Sequence, residues 1–150
     1  MNKFIGDNYD TPDDTARAFG DRMMLGTSLY FLHGFACIVL NTRRIALNGE
    51  YTNDNWIKSS FDIFRLIERC GGKFHIEGLD NIRKETGPVV FISNHMSILE
   101  TMIFPGIIAP ERWVTFVVKD TLVTHPVFGP VMRSRNPPSL RKSCSSRRSC

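Results

Sequence analysis

No acidic residue occurs from Arg133 to the last of these 150 residues, whereas six basic ones do: Arg133, Arg135, Arg141, Lys142, Arg147 and Arg148. The net charge of +4 therefore belongs to the tail, and residues 1–132 hold 13 basic against 15 acidic side chains. A faintly acidic body does not suit a nucleic-acid-binding domain, and the basic tail lacks the interleaved aromatics on which single strands stack, so no nucleic-acid partner is expected. Also missing are a C-x-x-C pair and any Cys/His cluster with zinc spacing. Cys37, Cys70, Cys144 and Cys150 read as reduced thiols facing the cytosol, and no metal site is expected. The 22 residues before the apolar run are acidic and not a short basic segment, so that run is not expected to be a signal peptide, and no repeat of about twenty to fifty residues recurs, which excludes a solenoid. What is present is ordinary for a globular chain: 42% hydrophobic and 23% charged residues in a length fit for one domain at most.

The chain divides into four parts. Residues 1–22 form a polar, acid-rich arm with Asp7, Asp10, Asp13 and Asp14, expected to be loose apart from a helix at Thr15–Arg22. Residues 23–44 hold an uncharged run of 18 residues, Met23–Leu40, closed by Arg43 and Arg44. At ~1.5 Å rise per residue such a run falls slightly short of a ~30 Å hydrocarbon core. It reads as a membrane-associated hydrophobic helix, spanning or interfacial, against the alternative of a helix buried in a soluble core. If it spans, Arg43 and Arg44 place its end, and the domain that follows, on the cytoplasmic side. Residues 45–133 carry alternating helix and strand signals, and residues 134–150, with six serines, read as a disordered Ser/Arg-rich tail.

Within residues 45–133, Trp56, Ile57, Phe61, Phe64 and Ile67 recur at three- and four-residue steps, which predicts an amphipathic helix over Asn53–Cys70. Lys58, Asp62, Arg65, Glu68 and Arg69 fill its opposite face, and Gly71-Gly72 ends it. Lys73–Glu77 alternates like a half-exposed strand, Pro88–Ile92 reads as a strand buried on both faces, Ser97–Phe104 as a helix ending near Pro105-Gly106, and Trp113–Val118 as a further strand. That order predicts an α/β fold with a largely parallel sheet.

The chemistry concentrates where the buried strand should end, at Ser93-Asn94-His95-Met96-Ser97-Ile98-Leu99-Glu100. A histidine with a nearby carboxylate is a general base with an orienting partner. On one continuous helix positions five apart diverge by about 140°, so His95 and Glu100 meet only if His95 lies on the strand-to-helix turn and Glu100 on the first helical turn. Ser97 is suited to cap that helix, with Glu100 three residues on. The same Ser97-x-x-Glu100 pattern is a capping box that explains Glu100 without catalysis, so the residues alone leave both readings open. His33, His75 and His125 are expected to be structural, with no carboxylate placed to tune them.

Several phrases favour the catalytic reading by likeness. Phe74-His75-Ile76-Glu77-Gly78-Leu79-Asp80, Gly87–His95, Phe116–Leu122 and Pro126-Val127-Phe128-Gly129 resemble, in order, the first part of the glycerolipid acyltransferase family, over about 58 residues from Gly72 to Gly129. The resemblance implies an α/β fold, a partial glycerolipid-acyltransferase-like sheet with flanking helices, preceded by the hydrophobic helix. It implies acyl transfer from acyl-CoA or acyl-carrier protein to a hydroxyl of a lysophospholipid or glycerol phosphate. His95 would deprotonate the acceptor hydroxyl, Glu100 would hold the imidazole, and Asn94 and Ser97 would support the turn. The thioester is a co-substrate, and no cofactor is implied. The partners are membrane lipid and the acyl donor.

Two departures stand out. Glutamate occupies the place of the family's aspartate, and the later Gly-x-x-Phe-Ile-x-Arg and Phe-Pro-Glu-Gly-Thr-Arg segments do not appear. Arg133 and Arg135 follow Gly129 too closely to stand for the first of these, so no substrate-binding residue is assigned. The change of composition at Ser134 leads us to expect a truncated domain with a frameshifted or prematurely stopped end. Two functional classes follow: a membrane-associated acyltransferase, or a non-catalytic membrane-associated remnant or interaction protein that retains the first half of the fold.

Overall fold

The structure, a computed structural model, describes residues 4–23, 28–94, 96–135 and 139–140. In chain order its elements are β1 (Tyr9–Asp10), α1 (Phe19–Met23), α2 (Ser28–Leu47), α3 (Asn53–Arg69), β2 (His75–Ile76), α4 (Leu79–Lys84), α5 (Leu99–Ile108), β3 (Val118–Lys119), α6 (Asp120–Val123), α7 (Gly129–Ser134) and β4 (Ser139–Leu140). The chain is a mixed, mainly helical α/β structure. The largely parallel sheet is replaced by two small pairs: β1 with β2, antiparallel, and β3 with β4, parallel.

Helix α3 is the centre of the molecule and forms for the reasons its spacing suggests. The Thr52 side chain accepts the N–H of Asn55 at 3.3 Å and caps its start. At its end Gly71 takes φ +89°, while the Gly71 and Gly72 N–H groups donate to the carbonyls of Glu68 and Ile67, both at 2.9 Å. That is a Schellman ending, and Gly71 suits the left-handed position because it has no Cβ. Ile57, Phe61 and Phe64 are buried and meet Phe4, Leu79 and Ala109 in one core. Aromatic contacts dominate that core: Phe64 stacks on Phe74 at 4.0 Å, and Phe4 lies 5.0 Å from Phe61. Each buried aromatic side chain contributes ~1.5–3 kcal/mol of transfer free energy.

The N-terminal arm is not loose. Phe4 is a core residue, and Tyr9 and Thr11 both donate hydroxyl hydrogen bonds to Glu68 Oε1, at 2.5 and 2.7 Å. Glu68, expected on the solvent face of α3, is 2% exposed, with Arg65 Nη1 on its other oxygen at 2.8 Å. A buried carboxylate requires such partners, and the arm supplies two of them. The helix expected at Thr15–Arg22 is confined to α1.

Helix α5 begins at Leu99 and does not stop near Pro105-Gly106 as the sequence suggests. Ser60 of α3 explains how it continues. Its hydroxyl donates to the Met102 carbonyl at 2.6 Å and accepts the Gly106 N–H at 2.8 Å. Those two backbone groups are the i and i+4 partners that would otherwise bond each other. The hydroxyl is thus inserted into the helical ladder where the proline ring opens it. Gly106 permits the approach, since a Cβ there would lie 2.9 Å from Ser60 Oγ.

Three expectations are corrected. Pro88–Ile92 is not a buried strand: Val90 and Ile92 are 84% and 91% exposed, and no strand pairs with them among the described residues. Of Trp113–Val118 only Val118 enters a strand. Both runs have strand composition, but a strand is made by its neighbour, and apart from Val118, which pairs with Ser139, neither run has one among the described residues. The hydrophobic segment does form a helix, shifted to Ser28–Leu47, and it packs against α3 and α7. Among the described residues, however, no helix is long and apolar enough to cross a membrane. The glycine, hydroxyl and histidine side chains in Met23–Leu40 and the arginines after it lower its hydropathy below that of a span. Beyond Arg135 only Ser139 and Leu140 of the expected tail lie among the described residues.

Candidate active site

The turn into α5 is built around one carboxylate. Glu100 Oε1 accepts the N–H groups of Met96 and Ser97 at 2.6 and 2.9 Å. Its Oε2 accepts the Ser97 hydroxyl at 2.8 Å and the Ser97 N–H at 3.2 Å. Ser97 Oγ in turn accepts the N–H of Leu99 at 3.0 Å. This is one half of a capping box, the Glu100 carboxylate reaching back to the Ser97 N–H; the Ser97 hydroxyl meets the Leu99 N–H in place of that of Glu100, because Ile98 is the residue that precedes the helix. The N–H of Glu100 itself, then the N–H and hydroxyl of Ser97, stabilise the ionised form and hold the Glu100 carboxyl down at about 2. The side chain is a fixed negative charge at any physiological pH. These bonds occupy the roughly four lone-pair sites of the carboxylate.

Of the residues read as catalytic or supporting, Ser97 and Glu100 are therefore in direct contact, and Asn94 lies exposed in the non-helical stretch before them. His95 lies outside the described residues. It directly precedes Met96 in the chain, whose N–H is bound to Glu100. The other histidines are elsewhere. His33 lies 3.8 Å from Cys37 Sγ on α2, and His125 Nδ1 faces the N–H groups of Val127 and Phe128. His75 corrects the expectation that no carboxylate tunes it: Nδ1 is 2.5 Å from Asp10 Oδ1 and Nε2 2.9 Å from Glu77 Oε1. Asp10 first, then Glu77, raises its pKa above the ordinary histidine value. The Glu77 contact was legible as a two-residue spacing on a strand, whereas the Asp10 contact needs the pairing of β1 with β2 across 65 residues.

Two cavities adjoin the turn. Ser93 and Glu100 line a cleft of about 120 Å³ together with Phe91, Thr101, Phe104 and Phe116. Thr101 and Phe116 also line a larger, mainly apolar cavity of about 370 Å³ between α2, α3 and α7. No spacing in the sequence signals that cavity, because its walls come from segments as far apart as Phe35 and Arg135.

Residues 73–145 match the Acyltransferase family model. That segment is similar to the acyltransferases. No curated protein and no solved structure matches the chain. The acyltransferase segment begins beside β2, includes the whole Asn94–Glu100 turn and takes in α5 to α7. The family is one of transferases, and the capped turn and both cavities are built largely from this part of the chain.

Proposed function

We propose that the acyltransferase segment transfers a fatty acyl group from acyl-CoA or acyl-carrier protein to a hydroxyl of a lysophospholipid or glycerol phosphate, as in phospholipid biosynthesis. The observation that carries this reading is the Glu100 carboxylate, held ionised by the N–H groups that immediately follow His95. In this mechanism neutral His95 takes the proton of the acceptor hydroxyl as the oxygen attacks the thioester carbonyl. Thiolate is a good leaving group, so no enzyme nucleophile is required. Glu100 stabilises the imidazolium that forms, in the role the acid plays in a hydrolase triad. Asn94 and Ser97 shape the turn. The thioester is the only co-substrate, with no cofactor.

The lipid acceptor would be met at a membrane surface on the cytoplasmic side. Supporting this, α2 leaves Leu29, Leu32, Leu40 and Leu47 each more than half exposed, with Arg43 and Arg44 between them in sequence. Such a helix lies in the interface.

The test is thioester consumption by purified protein given acyl-CoA and a lysophospholipid, followed by free-thiol release. Wild-type protein should turn over, and His95→Ala should lose ~10²–10⁴-fold of the rate. Near-normal turnover in His95→Ala would sink the assignment. The second reading, a non-catalytic membrane-associated interaction protein, is favoured by the exposed Val90 and Ile92, and complete absence of thiol release would support it.

A further inference from the structure

The Glu100 carboxylate has its bonds filled by its own turn. They come from the Met96 N–H, from the Ser97 N–H shared between both oxygens at 2.9 and 3.2 Å, and from the Ser97 hydroxyl at 2.8 Å. No cationic side chain pairs with Glu100 among the described residues. A histidine N–H therefore gains a strong bond to this carboxylate only when one of these donors leaves. The donors are not equally free to do so. Both N–H groups are fixed by the backbone that leads into α5. The hydroxyl instead turns about side-chain bonds on a residue exposed to solvent, so water can take its hydrogen bond when it swings out. Its oxygen also accepts the Leu99 N–H at 3.0 Å, in a contact that is likewise exposed.

We propose that the Ser97 hydroxyl gates the site: it holds an acceptor position on Glu100 that His95 needs, and it must rotate away before the carboxylate can hold the imidazole. Ser97 is thus a positioning residue that works through Glu100 and touches no reacting atom. Its N–H shapes the turn, and its hydroxyl competes for the carboxylate. The proposal rests on the general-base reading of His95 and Glu100 and goes beyond it in sign. A hydroxyl that only supports the turn is needed for activity, whereas a competing hydroxyl lowers it. Only the fraction of molecules with the hydroxyl turned out is competent, and the observed rate is scaled by that fraction. The exchange replaces one charge-assisted hydrogen bond by another, so the bias is modest and reversible.

The test is a mutant cycle on the full chain with two readouts. One is thiol release from acyl-CoA in the presence of a lysophospholipid. The other is the NMR titration of the His95 imidazole, assigned by its loss in His95→Gln. Ser97→Ala removes the hydroxyl and keeps both N–H donors. It should raise kcat about three- to tenfold with KM within about twofold. His95 should also take up its proton at a higher pH than in the wild type, because the freed acceptor position favours the imidazolium. Ser97→Thr restores a hydroxyl and should reverse both changes. In a Glu100→Gln background Ser97→Ala should move neither readout, since the gate acts only through the carboxylate. Ser97→Gly removes the same hydroxyl and carries the same expectations if the alanine variant does not fold. In protein that turns over, a lowered or unchanged kcat on loss of the hydroxyl would overturn the proposal. So would an unchanged His95 titration, or an effect that survives in Glu100→Gln. A raised His95 titration without thiol release from any variant would support the gate and count against the catalytic reading alone.

Discussion

Around α3, Phe61 and Phe64 are 6% and 2% exposed, whereas along the run from Pro88 to Ile92, Val90 and Ile92 are 84% and 91% exposed. The run is continuously apolar in sequence, whereas α3 carries only an apolar stripe. They differ in whether the partners are built. The α3 stripe finds Phe4 and Tyr9 from the arm, Phe74 after the Schellman ending, and Ile103 from α5, each brought by a short connection or a specific polar bond. The second run has no paired strand on either side among the described residues, so Val90 and Ile92 face outward. Hydrophobicity supplies the driving force in both regions, and geometry decides whether it is realised.

The comparison can be broken by substitution. Phe64→Ala should destabilise the protein by ~3–5 kcal/mol in a urea melt, because it opens a cavity between three aromatic rings. Val90→Ser should stay within ~0.5 kcal/mol of wild type, and a loss approaching that of Phe64→Ala would show that the exposed run is buried in solution. Ser60→Ala should rank between them at ~1–3 kcal/mol, since it leaves the Gly106 N–H and the Met102 carbonyl unpaired at the proline opening. A neutral result would mean that α5 re-forms its own bond across Pro105.

Titration sharpens the contrast between pinned and open regions. The Glu100 carboxyl is depressed from 4.5 to about 2 in the folded chain, so its stabilising effect is present above the unfolded value and is lost as pH falls through about 2. The stability difference between wild type and Glu100→Gln should therefore shrink from pH 5 to about pH 2. A difference that stays constant would detach Glu100 from its N–H partners. His75 works in the opposite sense. Its folded pKa is raised by Asp10 and Glu77, so that contribution is complete below ~6.5 and is lost as pH rises through the folded value. This is the smallest effect, since all three side chains are exposed to solvent. The melting temperature relative to His75→Gln should fall slightly between pH 6 and pH 8, and a rise over that window would reverse the assignment.

Local patterns were legible where neighbours in sequence complete the physics. The Asn53–Arg69 helix, its Gly71-Gly72 ending, and the bond from the Ser97 N–H to Glu100 each need only residues within a turn or two, and each is present. The catalytic reading of the same turn rests on His95 and on resemblance. The uncharged run from Met23 showed a helix but overstated its apolar character, because a count of charges ignores how Gly26, Thr27, Ser28, His33 and Gly34 dilute it.

What the sequence determined by itself was therefore the short-range part: the helix stripe, the caps and the phrases that match the acyltransferase family over residues 73–145. Tertiary structure alone decided the rest. It buried Glu68 by bringing Tyr9 and Thr11 to it, carried α5 past Pro105 through Ser60, and set Arg135 over Trp56 at the wall of an apolar cavity. The physical reason is common to all three. A polar group's burial is tolerable only when its partner is in place, and here the partners stand 42 to 79 residues apart, where no periodicity reaches.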